Sequence, residues 1–262
     1  MVKIVINADD YGLSNGICKS IHELLRAGAI SSTTIMIGAD GARERCVAHN
    51  VRAVARRVGV HLHVTGGRPI SPVSDVPSLV DASSGRFLPK DQIAAMNPAE
   101  VEVEWSRQIE LVADILGRLP SHLDTHHGAH RIPSLTPVYF RLAQRYKVPV
   151  RGGTELGQFA SWGEEVARST LAINQWTGRG LDCDKLKEMI IKYVAMLNAD
   201  EVLEVVTHPG YCDDLLRSIS SLNVERENDH RVLMQLATED WLESHGHELV
   251  RFPSFEPAVG PL

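Results

Sequence analysis

Acidic and imidazole side chains recur along this chain at the ends of short apolar runs. Asp9 and Asp10 follow the β-branched run at 2–6, and His61 and His63 close a run at 58–64. Asp124 and His126 end the run at 122–125, Arg151 ends 148–151, and His208 follows 202–207. Of 12 histidines in the sequence, four fall within 121–131, a local density that suggests a metal or acid–base site. Two imidazoles and one carboxylate, with the other positions left to water, make a catalytic rather than a structural divalent site. Nitrogen and oxygen donors without thiolate suit Zn²⁺ or Mn²⁺, and Mg²⁺ less obviously. Adjacent carboxylates can divide the work, one binding the metal while the other serves as general base beside a bound water. Any one of these residues alone would read as a capping Asp or a core histidine. The same feature at five strand ends calls for a shared cause.

The elements that would carry these residues alternate. Strands are expected at 2–6, 32–37, 58–64, 122–125, 148–151, 202–207 and 248–252. Ser14 caps a helix whose Ile17, Ile21, Leu24 and Leu25 recur at three- and four-residue spacing, and Gly28 ends it. A weaker helix spans about 40–50. Asn97, Pro98 and Glu100 supply a cap, a first-turn proline and an acid three residues on. Behind them Val101, Trp105, Ile109, Val112 and Leu116 line one face of a helix that stops at Gly117. Further helices are expected at 135–146, 186–197 and 224–244. Strands alternating with helices imply parallel strands joined by crossovers, and about seven units favour a barrel over an open sheet. The carboxyl ends of such strands converge on one face. Two Pro- and Gly-rich stretches, 65–98 and 152–182, interrupt the alternation and are expected to cover that face as substrate-selecting lids.

Composition narrows the class. The chain has 262 residues, 44% hydrophobic and 23% charged, and a net charge of −6, so it is an ordinary globular chain and a poor nucleic-acid binder. Cys18, Cys46, Cys183 and Cys212 form no CxxC pair and read as buried small hydrophobes. Acids at positions 9 and 10 conflict with a signal peptide, and no apolar run approaches the roughly 20 residues of a membrane span. A cytoplasmic, reduced protein that uses no membrane is expected.

Four motifs together resemble the YdjC/ChbG-type carbohydrate deacetylases: NADDYGL at 7–13, GVHLHVT at 59–65, HLDTHHGAH at 122–130 and HPGY at 208–211. The resemblance runs from the first strand to the sixth. It implies one deacetylase domain over 1–262, folded as a distorted (β/α) barrel like that of the NodB-like polysaccharide deacetylases. It also implies one divalent metal ion (Mg²⁺ or Zn²⁺), an N-acetylated sugar substrate and a homodimer. Carried over position by position, Asp10, His61 and His126 match the metal ligands, Asp9 the general base and His208 a general acid. Asp124 and Arg151 would line the site, with His130, Tyr211 and Arg68 as further substrate contacts. Gly128 departs from the family pattern, which often has histidine there, and puts nearby substrate contacts in question. His63 shares a strand face with His61 and is expected to support a ligand rather than to be one.

The residue types suit amide hydrolysis. A metal lowers the pKa of bound water and polarises a carbonyl. Asp9 would take the water's proton, and a protonated His208 would donate to the departing amine. Trp162, Trp176 or Tyr211 could stack on a sugar ring. A phosphoester or another N-acyl compound is a second substrate reading, although no Gly-rich cradle or Arg/Lys cluster accompanies the motifs. A third is a sugar-binding protein without catalysis, which would not need both Asp9 and His208.

Overall fold

The computed structural model describes residues 2–152, 166–174, 182–199, 201–252 and 256–257. At its centre β1 (Val2–Tyr11) pairs in parallel with β6 (Val202–Thr207) from Lys3 to Ala8. Its other edge is shared: β7 (His247–Arg251) pairs with Val2–Ile4, and β2 (Ser32–Ile35) takes over from Asn7. With β3 (Val58–Leu62), β4 (Leu123–Thr125) and β5 (Leu171–Ile173), the order is β4-β3-β2-β1-β6-β5. Isolated parallel bridges from Val150 to Leu123 and to Arg168 link the β4 edge towards β5, so the sheet curls into a distorted barrel. The strand expected at 148–151 is reduced to that bridging residue.

Crossover helices form where local signals placed them. Ser14 Oγ accepts from the Ile17 amide at the start of α1 (Asn15–Arg26), which buries Ile17, Ile21, Leu24 and Leu25. A second helix, α2, is short (Ala42–Ala48). Asn97 caps α3 (Pro98–Leu116), and Gly117 closes it at φ 71°, a left-handed conformation that costs glycine little. Next come α4 (Thr136–Tyr146) and α5 (Cys183–Val194), which Asp182 caps. After α6 (Asp214–Ile219), the helix expected at 224–244 is broken into α7 (Glu225–Thr238) and α8 (Trp241–Ser244). Asp240, at φ 46°, makes the break, because a left-handed residue cannot continue a right-handed ladder. Among the described residues, no helix is long and apolar enough to cross a membrane.

Alternation along β1 gives the barrel two environments. Ile4, Ile6 and Ala8 belong to the main core under the helices, whereas Val5 packs with Val202, Val250 and Phe252. The Phe252 ring stacks on His122, centroids 4.0 Å apart, and His122 Nε2 lies 3.1 Å from Asn7 Oδ1. Above that apolar floor the same face of β1 carries Asn7 and then Asp9, which lead to the site.

Candidate active site

Simple alternation would send Asp9 and Asp10 to opposite faces of the sheet. They do not follow the strand, as expected from sequence, but lie within it. The register with β2 shifts between Ala8 and Tyr11, and Asp10 takes φ 69°. This irregularity turns the second carboxylate back to the same side as the first.

Asp10 Oδ1 lies 3.4 Å from His61 Nε2 and 3.7 Å from His126 Nδ1, and those two nitrogens are 3.2 Å apart. Strand ends distant in sequence thus bring one carboxylate and two imidazoles together, with ligand atoms within 4.8 Å of one another. Oδ1 is buried without a hydrogen-bond partner, whereas Oδ2 accepts from Arg226 Nη2 at 2.7 Å. Behind His61, Nδ1 meets Asp124 Oδ1 at 2.7 Å, which fixes the ring and leaves Nε2 towards Asp10. Burial works against a charge on His61, but Asp124, Asp9 and Asp10 outweigh it and push its pKa up to about 9. Burial likewise opposes the Asp10 carboxylate, yet Arg226, His61 and His126 hold it well below the usual range.

A second layer is built around Arg151. Its guanidinium donates to both oxygens of Asp9, at 2.7 and 2.9 Å, and also reaches Asp124 Oδ2 at 2.8 Å and Glu204 Oε1 at 2.7 Å. Burial raises the Asp9 pKa, but Arg151, His61 and His208 reverse the balance and leave it strongly lowered. His208 Nε2 is 3.9 Å from Asp9 Oδ2, and the His208 amide donates to Asp229 Oδ2 at 3.1 Å. Burial lowers the His208 pKa more than Asp9 and Asp10 raise it. Burial thus works against the protonated His208 expected from sequence.

These groups open onto a cleft of about 1030 Å³. Its described lining includes Asp9, Asp10, His61, His126, Arg151 and His208. His130 also lines it, with Nδ1 held by Thr125 Oγ1. The 65–98 segment contributes Gly66, Gly67, Arg86, Phe87 and Lys90 to the same cleft, so this insertion sits on the expected face. Contrary to the lid expected over 152–182, that stretch contains β5, which pairs with β6 in the sheet. Asn174, directly after that strand, reaches the cleft, while Trp162 and Trp176 lie outside the described residues.

Three expected substrate contacts are placed elsewhere. Asp124 is fully buried behind His61, where it orients the ring. Tyr211 turns its hydroxyl to Glu23 and His230, and Arg68 donates to the Ser84 carbonyl at 2.7 Å. Neither Tyr211 nor Arg68 is among the described cleft residues. His63 is not in the Asp10–His61–His126 group, and its Nδ1 meets the His61 backbone carbonyl at 3.1 Å. Gly128 sits at φ 67° directly after His127 at φ 55°, a left-handed turn that favours glycine over the family's histidine.

Sequence reasoning missed Arg226, Asp229 and Glu204. A signal existed for Glu204, a lone charge inside the apolar strand 202–207 that had to find a buried partner. No comparable signal marks Arg226 or Asp229, which sit on a polar-looking helix.

The turn that carries His208 is seated on α1. The Tyr211 amide donates to the Gly16 carbonyl at 3.2 Å, and a Cβ on Gly16 would lie 2.0 Å from the Tyr211 carbonyl oxygen. Gly16→Ala is therefore expected to destabilise the protein by about 1–3 kcal/mol through overpacking, measured as a lower urea midpoint with an unchanged slope.

Comparison with known proteins agrees with this architecture. The chain is 34% identical over 247 residues to a carbohydrate deacetylase of Oceanobacillus iheyensis, covering 92% of this chain and 100% of that one. A crystal structure from Enterococcus faecalis V583, of a protein named for a proposed role in cellobiose-phosphate cleavage, superposes with TM-score 0.88 at 27% identity. That match covers 97% of this chain and 99% of the other. A family 4 carbohydrate esterase from Streptomyces lividans shares the fold, with TM-score 0.51, 13% identity and coverage of 100% and 98%. A family model described as YdjC-like protein matches residues 3–244, and with these motifs, strand ends and relatives the chain belongs to the YdjC-like family.

Proposed function

We propose that this chain is a metal-dependent carbohydrate deacetylase that hydrolyses the N-acetyl group of an amino sugar or short chitooligosaccharide-like substrate. The observation that carries the reading is the Asp10–His61–His126 cluster with Asp9 and His208 beside it in one cleft. The donor set fits a divalent cation such as Zn²⁺ or Mg²⁺: Asp10 Oδ1 is a buried carboxylate oxygen with no partner, aimed between two imidazole nitrogens. Asp10, His61 and His126 would hold the ion, which when bound acidifies a water and polarises the acyl oxygen. Asp9 accepts the water's proton. It is a weak base while Arg151 holds both its oxygens, so it depends on that acidified water. His208, whose Nε2 lies 3.9 Å from Asp9 Oδ2, would receive that proton by way of Asp9 and pass it to the leaving amine as the C–N bond breaks. The cleft exceeds the space that one monosaccharide needs, and Leu215 and Ile219 of α6 give it an apolar wall against which a second ring can rest. A cytoplasmic homodimer completes the proposal, checked by sedimentation of the purified protein.

The test is acetate release from a panel of N-acetylated mono- and oligosaccharides. Activity should vanish with a chelator and return with Zn²⁺ or Mg²⁺. A fully metal-loaded protein that frees no acetate from any of them would overturn the reading.

Metal binding should also depend on pH in a defined direction. In the metal-free protein His61 is protonated below about 9, whereas His126 and Asp10 are held deprotonated at pH 7. Ligation needs the His61 Nε2 lone pair, so binding at pH 7 should release about one proton. Metal affinity should rise about tenfold per pH unit towards pH 9 and level off above it. Calorimetry in buffers of different ionisation enthalpy counts the proton, and no release at pH 7 would contradict the assignment of His61.

A further inference from the structure

Arg226 is 3% exposed, and two of its three guanidinium nitrogens donate to identified acceptors. Nη2 donates to Asp10 Oδ2 at 2.7 Å, and Nε donates to the Leu222 carbonyl at 2.9 Å. Nη1 is buried and meets no acceptor. The Arg226 carbonyl accepts from the Gly210 amide at 3.2 Å, which ties this first turn of α7 to the turn after His208. The two oxygens of Asp10 thus have different surroundings: Oδ2 is held by a cation, and Oδ1 points unpartnered between His61 and His126.

Arg226 compensates the buried Asp10 carboxylate, but a guanidinium beside a divalent cation also repels it, so charge compensation is not all that its place implies. Its contact is directional. A charge-assisted N–H on Oδ2 takes up one of that oxygen's lone pairs and draws on its charge, so it competes with a cation for Oδ2 while leaving Oδ1 untouched. We propose that Arg226 is a positioning residue that restricts Asp10 to a single ligating oxygen, Oδ1, and so keeps a coordination position open for water or the substrate's acyl oxygen. Catalytic divalent sites need such an open position, and a two-oxygen carboxylate would fill it. This inference rests on the metal site proposed above.

The test is crystallography of the Zn²⁺-loaded full chain, with Arg226→Met and Arg226→Lys alongside wild type. In wild type, Zn²⁺ should contact Asp10 through Oδ1 only, with Arg226 still on Oδ2. In Arg226→Met, which cannot donate, both oxygens should close on Zn²⁺, and kcat should fall by about 10–100-fold at one equivalent of bound Zn²⁺. Arg226→Lys keeps a donor and should restore one-oxygen ligation. Wild-type crystals in which Asp10 chelates through both oxygens, or in which Arg226 has left Oδ2, would overturn the inference even if the variants failed to fold. An Arg226→Met structure that retains one-oxygen ligation would overturn it as well. Zn²⁺ bound away from Asp10, His61 and His126 would instead overturn the metal reading beneath it.

Discussion

Asp9→Asn is expected to lower kcat for acetate release by about 10²–10⁴-fold, the usual worth of a positioned base. The proposed Asp10–His61–His126 ligand set does not include Asp9, so metal content should stay at one equivalent. Asn keeps an oxygen for one Arg151 donor, and Arg151 retains Asp124 and Glu204, so the fold should survive. His208→Ala should lower kcat in the same direction, with less loss on substrates whose leaving amine needs little protonation. Metal content and acetate release measured on the same samples separate this role from an indirect one. If Asp9 merely oriented the ligands, metal affinity would fall by roughly 10–100-fold instead. Metal-replete Asp9→Asn protein with near wild-type turnover would remove Asp9 from the mechanism.

Arg151→Met should have the largest effect on stability. Arg151 is the buried cation among the carboxylates of Asp9, Asp124 and Glu204, and all three are nearly or fully inaccessible to solvent. Removing one partner of a buried ion pair typically costs about 3–5 kcal/mol, because the remaining charge is left uncompensated. Here three carboxylates lose their cation together, so the loss should reach at least about that size. Protonation can relieve them, so the variant's deficit against wild type should shrink as the pH is lowered. In wild type the lowered Asp9 and Asp10 pKa values contribute stability that is fully present above the ordinary carboxylate value of 3.8 and is lost only below it, so these two groups add no pH dependence between pH 5 and pH 8. Urea unfolding of both proteins at pH 5 and pH 8 checks the sign. A variant as stable as wild type at pH 8 would show that the network is not held together by Arg151.

Much of the scaffold and many of the site's residue types were legible in the chain. The Asn97 cap, first-turn Pro98 and stop at Gly117 located α3 to within a residue, and the Ile17–Leu25 spacing located α1. Those signals are local: a cap satisfies amides within one turn, and an apolar stripe needs only the 3.6-residue period. Strand ends were less visible, since β1 runs on through Asp10 and 148–151 shrinks to a bridge. Parallel strands must nevertheless present their carboxyl ends on one face, and the family resemblance singled out Asp10, His61 and His126 among the residues there. Contacts between distant residues and degrees of burial have no local signature. Nothing near Asp10 announces its positive φ, which follows from the register shift against β2, or its partner Arg226, 216 residues away. The retreat of Asp124 behind His61, the turning of Tyr211 towards α1 and the burial that opposes a charge on His208 likewise came from packing. Spacing along a chain sets which side chains can share a face. Which of them is desolvated, paired or left open is settled when separate segments close on one another and exclude water, since that alone sets the local dielectric and the partners within reach.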